Sequence, residues 1–314
     1  MGAFKDLLEK QDIIILDGAL GTELERQGYD VSGRLWSAKY LLENPQIIQD
    51  LHEDYVRVGS DIITTSSYQA SVPAFVEEGL SLDKAHELFK ETVFLAQAAV
   101  KNVWQGLSLD EQQRSYPLRA GSVGPYAAYL ADGSEYTGAY HLSEAEFQEF
   151  HRPRIQALLG AGCDLLALET IPNGAETEAL VHLLAEEFPQ VEAYLSFTAQ
   201  TASAISDGTL IEEVGRLAQS SPQVLAVGFN CTAPHLLVPL LEKLKQVCDK
   251  PLLAYPNSGE VYNGVTNTWQ DNPEQQLCLT DYSHLWKKQG VQLFGGCCRT
   301  RPEDIRRLAG ELRT

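Results

Sequence analysis

Short apolar runs recur along the chain, each followed by a stretch with helical spacing. The runs are Ile13–Leu16, Asp61–Thr65, Pro117–Ser122, Asp164–Leu168, Val191–Phe197, Val224–Phe229, Leu252–Tyr255 and Val291–Phe294. Each is of strand length and bounded by Gly, Asp, Asn or Pro, which predicts a buried strand. After a short amphipathic opening helix, the spacing of Ile47, Ile48, Leu51, Tyr55 and Val58 predicts a helix over Pro45–Val58, stopped by Gly59. Further helices are expected over Asp83–Val103, Ser143–Leu159 with a kink at Pro153, and Asn173–Glu187 with Asn173 and Glu176 as caps. Three more follow: one after Gly208 through Ala218, one reaching Val247 that Pro239 kinks or shortens, and one over Pro302–Leu312. Between Gly124 and His141 lies a loop rich in Gly and Tyr.

Strict strand–helix alternation implies a parallel sheet. Eight such units without a linker in a chain of 314 residues match a single (β/α)8 TIM barrel with its active site at the C-terminal ends of the strands. A doubly wound open sheet is the competing arrangement. The first strand lacks a Gly-x-Gly-x-x-Gly turn, however, and polar signals follow most strands instead of clustering at one crevice. The barrel is therefore the expected α/β fold, spanning 1–314 as one domain.

The strand ends then become the place to look for chemistry. They carry Asp17, Tyr68, Glu169, Asn230 with Cys231, Asn257, and the adjacent Cys297 and Cys298. Neighbouring residues on a regular strand point to opposite faces, so two consecutive thiols reach one partner only if the backbone leaves the extended form. Gly295 and Gly296 make that departure cheap. Thr300-Arg-Pro-Glu303 reads as a helix start, with Thr300 as N-cap and Glu303 closing a capping box. That would set the cysteine pair near a helix N-terminus, which favours thiolate. Cys163, Cys248 and Cys278 fall before strands or inside helices, where small buried thiols are common. Three thiolates from two strand ends suit zinc in a catalytic site, which keeps a fourth position open. His235 is a weaker candidate for a fourth ligand, and a vicinal disulfide between Cys297 and Cys298 is the redox alternative.

Charge narrows the reaction. Zn²⁺ with three thiolates carries a net −1, which makes it a poor Lewis acid for a carbonyl but still binds an incoming thiol as thiolate. Such a centre fits alkyl transfer to sulfur, with a cationic electrophile drawn to it. Asp17 and Glu169 are placed to receive an ammonium group, against the plainer readings of a helix N-cap and a surface ion pair. Asn230 is placed to orient the metal ligand or a substrate carboxylate.

Composition changes the picture only by exclusion. Forty-three acidic against 24 basic residues give a net charge of −19, which repels phosphate backbones and anionic lipid. No apolar run approaches the roughly 20 residues needed to span a bilayer, and no secretory signal is visible at Met1-Gly-Ala-Phe-Lys-Asp. Six scattered cysteines do not make a disulfide scaffold. A cytoplasmic, reduced protein that binds neither nucleic acid nor membrane is expected.

These residues resemble a known family, the zinc-dependent homocysteine S-methyltransferases. The resemblance spans essentially the whole chain and rests on Asp17-Gly-Ala-Leu-Gly-Thr-Glu23, Glu169-Thr170, Gly228-Phe-Asn-Cys231, Tyr255-Pro-Asn-Ser-Gly-Glu260 and Gly295-Gly-Cys-Cys-Arg299. It implies that Cys231, Cys297 and Cys298 bind zinc, that homocysteine sulfur takes the open position, and that Asp17 and Glu169 hold its amino group. Tyr68 matches a tyrosine that occupies the fourth zinc position when substrate is absent, and Asn230 lies in the matching motif. Thr64-Thr-Ser-Ser-Tyr-Gln-Ala70 is most similar to the branch using S-methylmethionine, with S-adenosylmethionine as a further donor. The chain is expected to lack the C-terminal segment of the betaine-using branch and the folate, cobalamin and activation modules of the cobalamin-dependent enzymes. A monomer or small homo-oligomer acting on small molecules follows. Betaine-type or selenocysteine methyl transfer, and a non-enzymatic zinc or redox sensor, remain the alternatives.

Overall fold

Every apolar run named above becomes a strand. The computed structural model describes residues 2–33, 35–259, 261–263, 268–270 and 278–313. The strands are β1 (Ile14–Ile15), β2 (Ile62–Thr64), β3 (Leu118–Val123), β4 (Leu165–Ile171), β5 (Ala193–Phe197), β6 (Val224–Asn230), β7 (Leu252–Tyr255) and β8 (Val291–Phe294). All pair in parallel in the order β1-β8-β7-β6-β5-β4-β3-β2, and a parallel bridge between Leu16 and Ile62 brings the two edges together. The result is a (β/α)8 barrel. A short antiparallel hairpin, Val261–Asn263 with Thr268–Gln270, is inserted after β7.

Alternation along the strands builds two cores. Ile14, Leu16, Ile62, Ala120, Leu165, Ala167, Tyr194, Ala226, Leu253 and Leu293 fill the barrel interior, joined by Phe4 and Leu7 of the opening helix. The intervening residues, such as Ile15, Ile63, Leu166, Leu168, Leu195, Val227 and Phe294, pack outward with the helices. Burying each such side chain is worth about 1.5–3 kcal/mol. The same period of two decides the mouth of the barrel. Counting on from the inward Leu165 and Ala167 gives Glu169, from Tyr194 gives Ser196, from Ala226 gives Gly228 and Asn230, and from Leu253 gives Tyr255.

The helices follow the expected ranges with instructive exceptions. Ser143 caps the helix Glu144–Gly160 with Glu146 in a true capping box, and that helix passes through Pro153 without ending. Asn173 caps Gly174–Glu187, but Glu176 does not share the capping; its carboxylate turns into the protein. Pro239 shortens its helix: a 3-10 turn at Pro234–Leu236 precedes Leu237–Lys245. The last helix, Pro302–Leu312, is capped one residue later than expected. Arg301 is the N-cap and Asp304 accepts its backbone N–H, while the Thr300 hydroxyl donates to the Cys297 carbonyl. The cysteine pair is thereby separated from the helix end by a turn.

Gly228 is dictated by its neighbour. A Cβ there would lie 1.9 Å from the backbone oxygen of Leu253 on β7. Gly228→Ala is expected to cost about 1–3 kcal/mol by overpacking and to push β6, with Cys231 at its end, away from β7. A thermal melt unchanged from the parent, with full metal content, would contradict this.

Candidate metal centre and substrate pocket

Cys231, Cys297 and Cys298 converge although they come from two strand ends. Their sulfurs lie within 4.8 Å of one another, and Cys231 Sγ is 3.5 Å from Cys298 Sγ. The route by which the backbone achieves this differs from expectation. Gly295 and Gly296 are not left-handed; a Cβ on Gly295 would lie 2.7 Å from Leu16 Cβ, and one on Gly296 2.2 Å from Thr300 Oγ1. The glycines serve close approach, and the left-handed conformations fall on Arg299 at φ 65° and Cys231 at φ 49°. The Thr300 N–H donates to the Cys297 carbonyl, closing a turn that holds Cys298 and Arg299. That turn is tied to the β7 loop by Cys297 N–H to Pro256 O at 2.7 Å and Ser258 N–H to Cys298 O at 3.0 Å.

The penultimate residue of β4 is left-handed too, Thr170 at φ 62°. Such conformations cost of order 1–3 kcal/mol each and persist where the surroundings enforce them. Asn230 supplies the enforcement. Its Oδ1 accepts the Thr170 N–H at 2.8 Å, its Nδ2 donates to Thr170 Oγ1 at 2.7 Å, and Nδ2 is 3.9 Å from Cys297 Sγ. Asn230 is fully buried, and its side chain ties the ends of β4 and β6 together instead of lining the pocket.

The thiol electrostatics show what the cluster is suited to hold. Hydrogen bonds from Cys297 and Cys298 pull the Cys231 thiol well below its ordinary range, and donation to Cys231 pushes the other two well above theirs. Three sulfurs this close compete for the same protons, and a divalent cation is a natural replacement for those protons. Among the described residues this is the one such cluster of metal-ligating groups. His235 is exposed and outside it. All six cysteines are free. Cys248 is buried and Cys163 half-buried, whereas Cys278 is exposed at the start of the helix Leu279–Gln289, contrary to expectation.

The sulfurs open into a cavity of about 590 Å³ whose walls include Asp17, Glu169, Tyr68, Tyr136, Trp36 and Glu135. Asp17 accepts the Thr64 N–H at 2.7 Å and its hydroxyl at 3.0 Å, and the helix that follows begins only at Gly21, so Asp17 is no helix cap. Glu169 accepts from Ser122 Oγ and, at 3.2 Å, from Tyr255 OH. It is buried, with no surface ion pair. Burial raises the Asp17 carboxyl to about 8, with the charge of Glu169 adding to the effect, and burial raises Glu169 to about 7. Two carboxyls hidden from water, with hydroxyls and an amide but no basic side chain against them, are relieved by a bound cation.

Tyr68 lies on the cavity wall, where burial and the charge of Glu135 raise its phenol well above the ordinary range. The Tyr136 hydroxyl is 3.7 Å from Cys231 Sγ. Tyr136 and Glu135 had no motif to mark them, since the loop that carries them has no periodicity. Ser122, Ser196 and Tyr255 could have been found by counting in twos from the inward apolar positions. Asn257 turns its Oδ1 to the Gly259 N–H at 3.0 Å and does not line the cavity, and Glu260, in the same motif, lies outside the described residues.

A buried strut supports this mouth from behind. Arg154 donates to Gly124 O at 2.7 Å and to Ala70 O at 3.4 Å, and reaches Tyr68 O at 3.5 Å. Arg154 also lies 2.6 Å from His151 Nδ1; guanidinium can only donate, so Nε2 carries the imidazole proton and gives it to Glu176 Oε1 at 2.7 Å. Glu176 further accepts from the Tyr126 N–H at 2.6 Å and from Tyr140 OH. Burial lowers the Arg154 guanidinium to about 10 and keeps His151 below its usual value, so the strut is a positive, a neutral and a negative group in series.

Comparison with known proteins agrees with this layout. The family model described as homocysteine S-methyltransferase matches residues 14–312. A homocysteine S-methyltransferase from Escherichia coli is 47% identical over 302 residues, covering 96% of each chain. The homocysteine S-methyltransferase YbgG from Bacillus subtilis is 43% identical and covers 100% of this chain and 99% of its own. The crystal structure of the metallated form of the Escherichia coli homocysteine methyltransferase MmuM superposes with a TM-score of 0.87 at 44% identity, covering 98% of this chain and 99% of that one. A cluster of three sulfurs at the mouth of a parallel barrel, with similarity running end to end, is thus accounted for: the chain is a methyltransferase and belongs to the homocysteine S-methyltransferase family.

Proposed function

We propose that this chain moves a methyl group from a sulfonium donor, S-methylmethionine or S-adenosylmethionine, to the sulfur of homocysteine, giving methionine. The observation that carries the reading is the meeting of three cysteine sulfurs and two cation-seeking carboxyls in one cavity. The donor set, three soft thiols with no imidazole among them, fits zinc. Zinc held by Cys231, Cys297 and Cys298 supplies a centre at which a thiol is bound as thiolate at neutral pH. Asp17 and Glu169 hold the homocysteine ammonium, and Thr64, Ser122 and Tyr255 orient those carboxylates. Tyr68 closes the pocket, and Asn230 fixes the ends of β4 and β6 so that Cys231 and Cys297 face the same point. Alignment of the nucleophilic sulfur, methyl carbon and leaving sulfur is the main contribution the walls make to rate.

On this reading residues 1–314 are one homocysteine-binding domain. The protein works on small molecules in the cytoplasm, as a monomer or small homo-oligomer, and its acidic surface keeps it from nucleic acid. The deciding experiment is a donor panel at fixed homocysteine, scored by methionine formation. Transfer from S-methylmethionine supports the proposal, transfer from betaine alone would replace the donor, and no thiol-dependent turnover would end it. Glu169→Gln is expected to raise the homocysteine KM roughly 10- to 100-fold, the worth of a charge-assisted hydrogen bond, with zinc content unchanged. Loss of metal in that variant would move Glu169 from the ammonium to the support of the sulfurs.

A further inference from the structure

The cavity has a second acidic pole. Among the described residues that line it, Asp17, Glu25, Asp30, Glu135 and Glu169 are acidic, and none is Lys, Arg or His. The charge of Glu169 reaches Asp17, whereas that of Glu135 adds to burial in raising the phenols of Tyr68 and Tyr136. Homocysteine brings one cationic group and one pole suffices for it. A second pole calls for a second cation.

The geometry of Glu135 is that of a prepared counter-ion. It stands in the 3-10 turn Ser134–Tyr136, entered through Gly133 at φ 84°, and its own carbonyl is held by Thr198 Oγ1 at 2.9 Å. Its Oε2 is buried and has no hydrogen-bond partner. Its chain neighbour Tyr136 reaches to 3.7 Å from Cys231 Sγ, so the turn lies beside the sulfurs. Burial lifts the Glu135 carboxyl to about 7, the signature of an acid kept from water without a compensating base. Tyr68 and Tyr136, both held as neutral phenols by burial, line the same cavity, and aromatic rings of this kind attract cations.

We propose that Glu135 is the binding counter-ion of the methyl donor's sulfonium centre, with Tyr68 and Tyr136 completing its seat. The inference rests on the sulfonium methyl transfer proposed above. In that step the thiolate electron pair forms the new carbon–sulfur bond, the sulfonium carbon–sulfur bond breaks, and its pair leaves on a neutral thioether. No proton or redox partner is required. The positive charge disappears as the reaction proceeds, so a counter-ion favours the bound donor more than the transition state. Glu135 therefore governs donor affinity and contributes little to the turnover rate.

The test is Glu135→Gln, with Glu135→Asp as the conservative variant, both loaded with zinc. Expected are a KM for S-methylmethionine raised roughly 10- to 100-fold, kcat unchanged or higher, homocysteine KM within about twofold, and partial recovery in the aspartate variant. Trimethylsulfonium, which has no amino or carboxyl group, serves as a probe by calorimetry. Its binding to the glutamine variant should weaken by a similar factor. An unchanged donor KM, an equal rise for both substrates, or a raised donor KM with unaltered trimethylsulfonium binding (which would place the donor's ammonium on Glu135) each overturns the proposal. If the parent chain transfers no methyl group from any sulfonium, the functional reading fails instead. Trimethylsulfonium binding then still reports on Glu135 alone.

Discussion

Cys298→Ser is expected to leave the barrel folded but with less than roughly a tenth of the zinc of the parent chain, and to lower methyl transfer more than ~100-fold. That exceeds the 10- to 100-fold cost of losing a group that merely supports a ligand. The reason is chemical. The exchange hardly alters volume, but a serine hydroxyl stays protonated at neutral pH and is a hard donor, so one of three soft anionic ligands is lost. Cys231 is held in the left-handed region at φ 49° and the Cys297–Thr300 turn is pinned to the β7 loop, so the two remaining thiols keep their places and the third position is left to a neutral hydroxyl. Metal analysis, circular dichroism and a methionine assay on one preparation settle the matter. Full zinc with normal turnover in the serine variant would remove the basis of the functional reading.

Arg154→Met should produce the largest loss of stability. It removes the guanidinium that gathers the carbonyls of Tyr68, Ala70 and Gly124 and leaves Glu176 buried with only a neutral histidine, a tyrosine and an amide against it. Breaking a buried charge network on one side costs about 3–5 kcal/mol, a fall in Tm of roughly 10 °C for a chain of this size. Adding Glu176→Leu to Arg154→Met should recover part of that loss, because the uncompensated carboxylate goes with it. A Tm equal to that of the parent in the single variant, or a further fall in the double variant equal to the sum of the singles, would show that the three groups are not coupled. Since the strut holds the Tyr68 and 124–141 loops, the single variant should also bind donor less tightly at temperatures where it remains folded.

Much of the architecture was legible from residue order because barrel strands are short, apolar on both faces and bounded by turn residues. All eight strands lie where the runs placed them, with ends that differ by a few residues. The strand-end rule then collected Asp17, Tyr68, Glu169 and the three cysteines on one face. The rule was less able to say what each side chain does there. Asn230 stands at the end of β6, buried just behind the pocket wall and bonded to Thr170, and Asn257 is spent on its own turn. Thr300 looked like a cap, but its hydroxyl is taken by the Cys297 carbonyl, and Arg301 with Asp304 begins the helix.

The eightfold alternation, the family, and which cysteines sit at strand ends can be read from residue order alone, because each is written in local period and in short motifs. The folded chain was needed to show that Gly295 and Gly296 are small to admit Leu16 and Thr300 rather than to bend the chain. It alone brought Glu135 and Tyr136 to the sulfurs and linked Arg154, His151 and Glu176 behind them. Those facts depend on which atoms from distant elements share a space. Packing and desolvation act between such atoms across the barrel, and no local pattern of residues encodes that proximity.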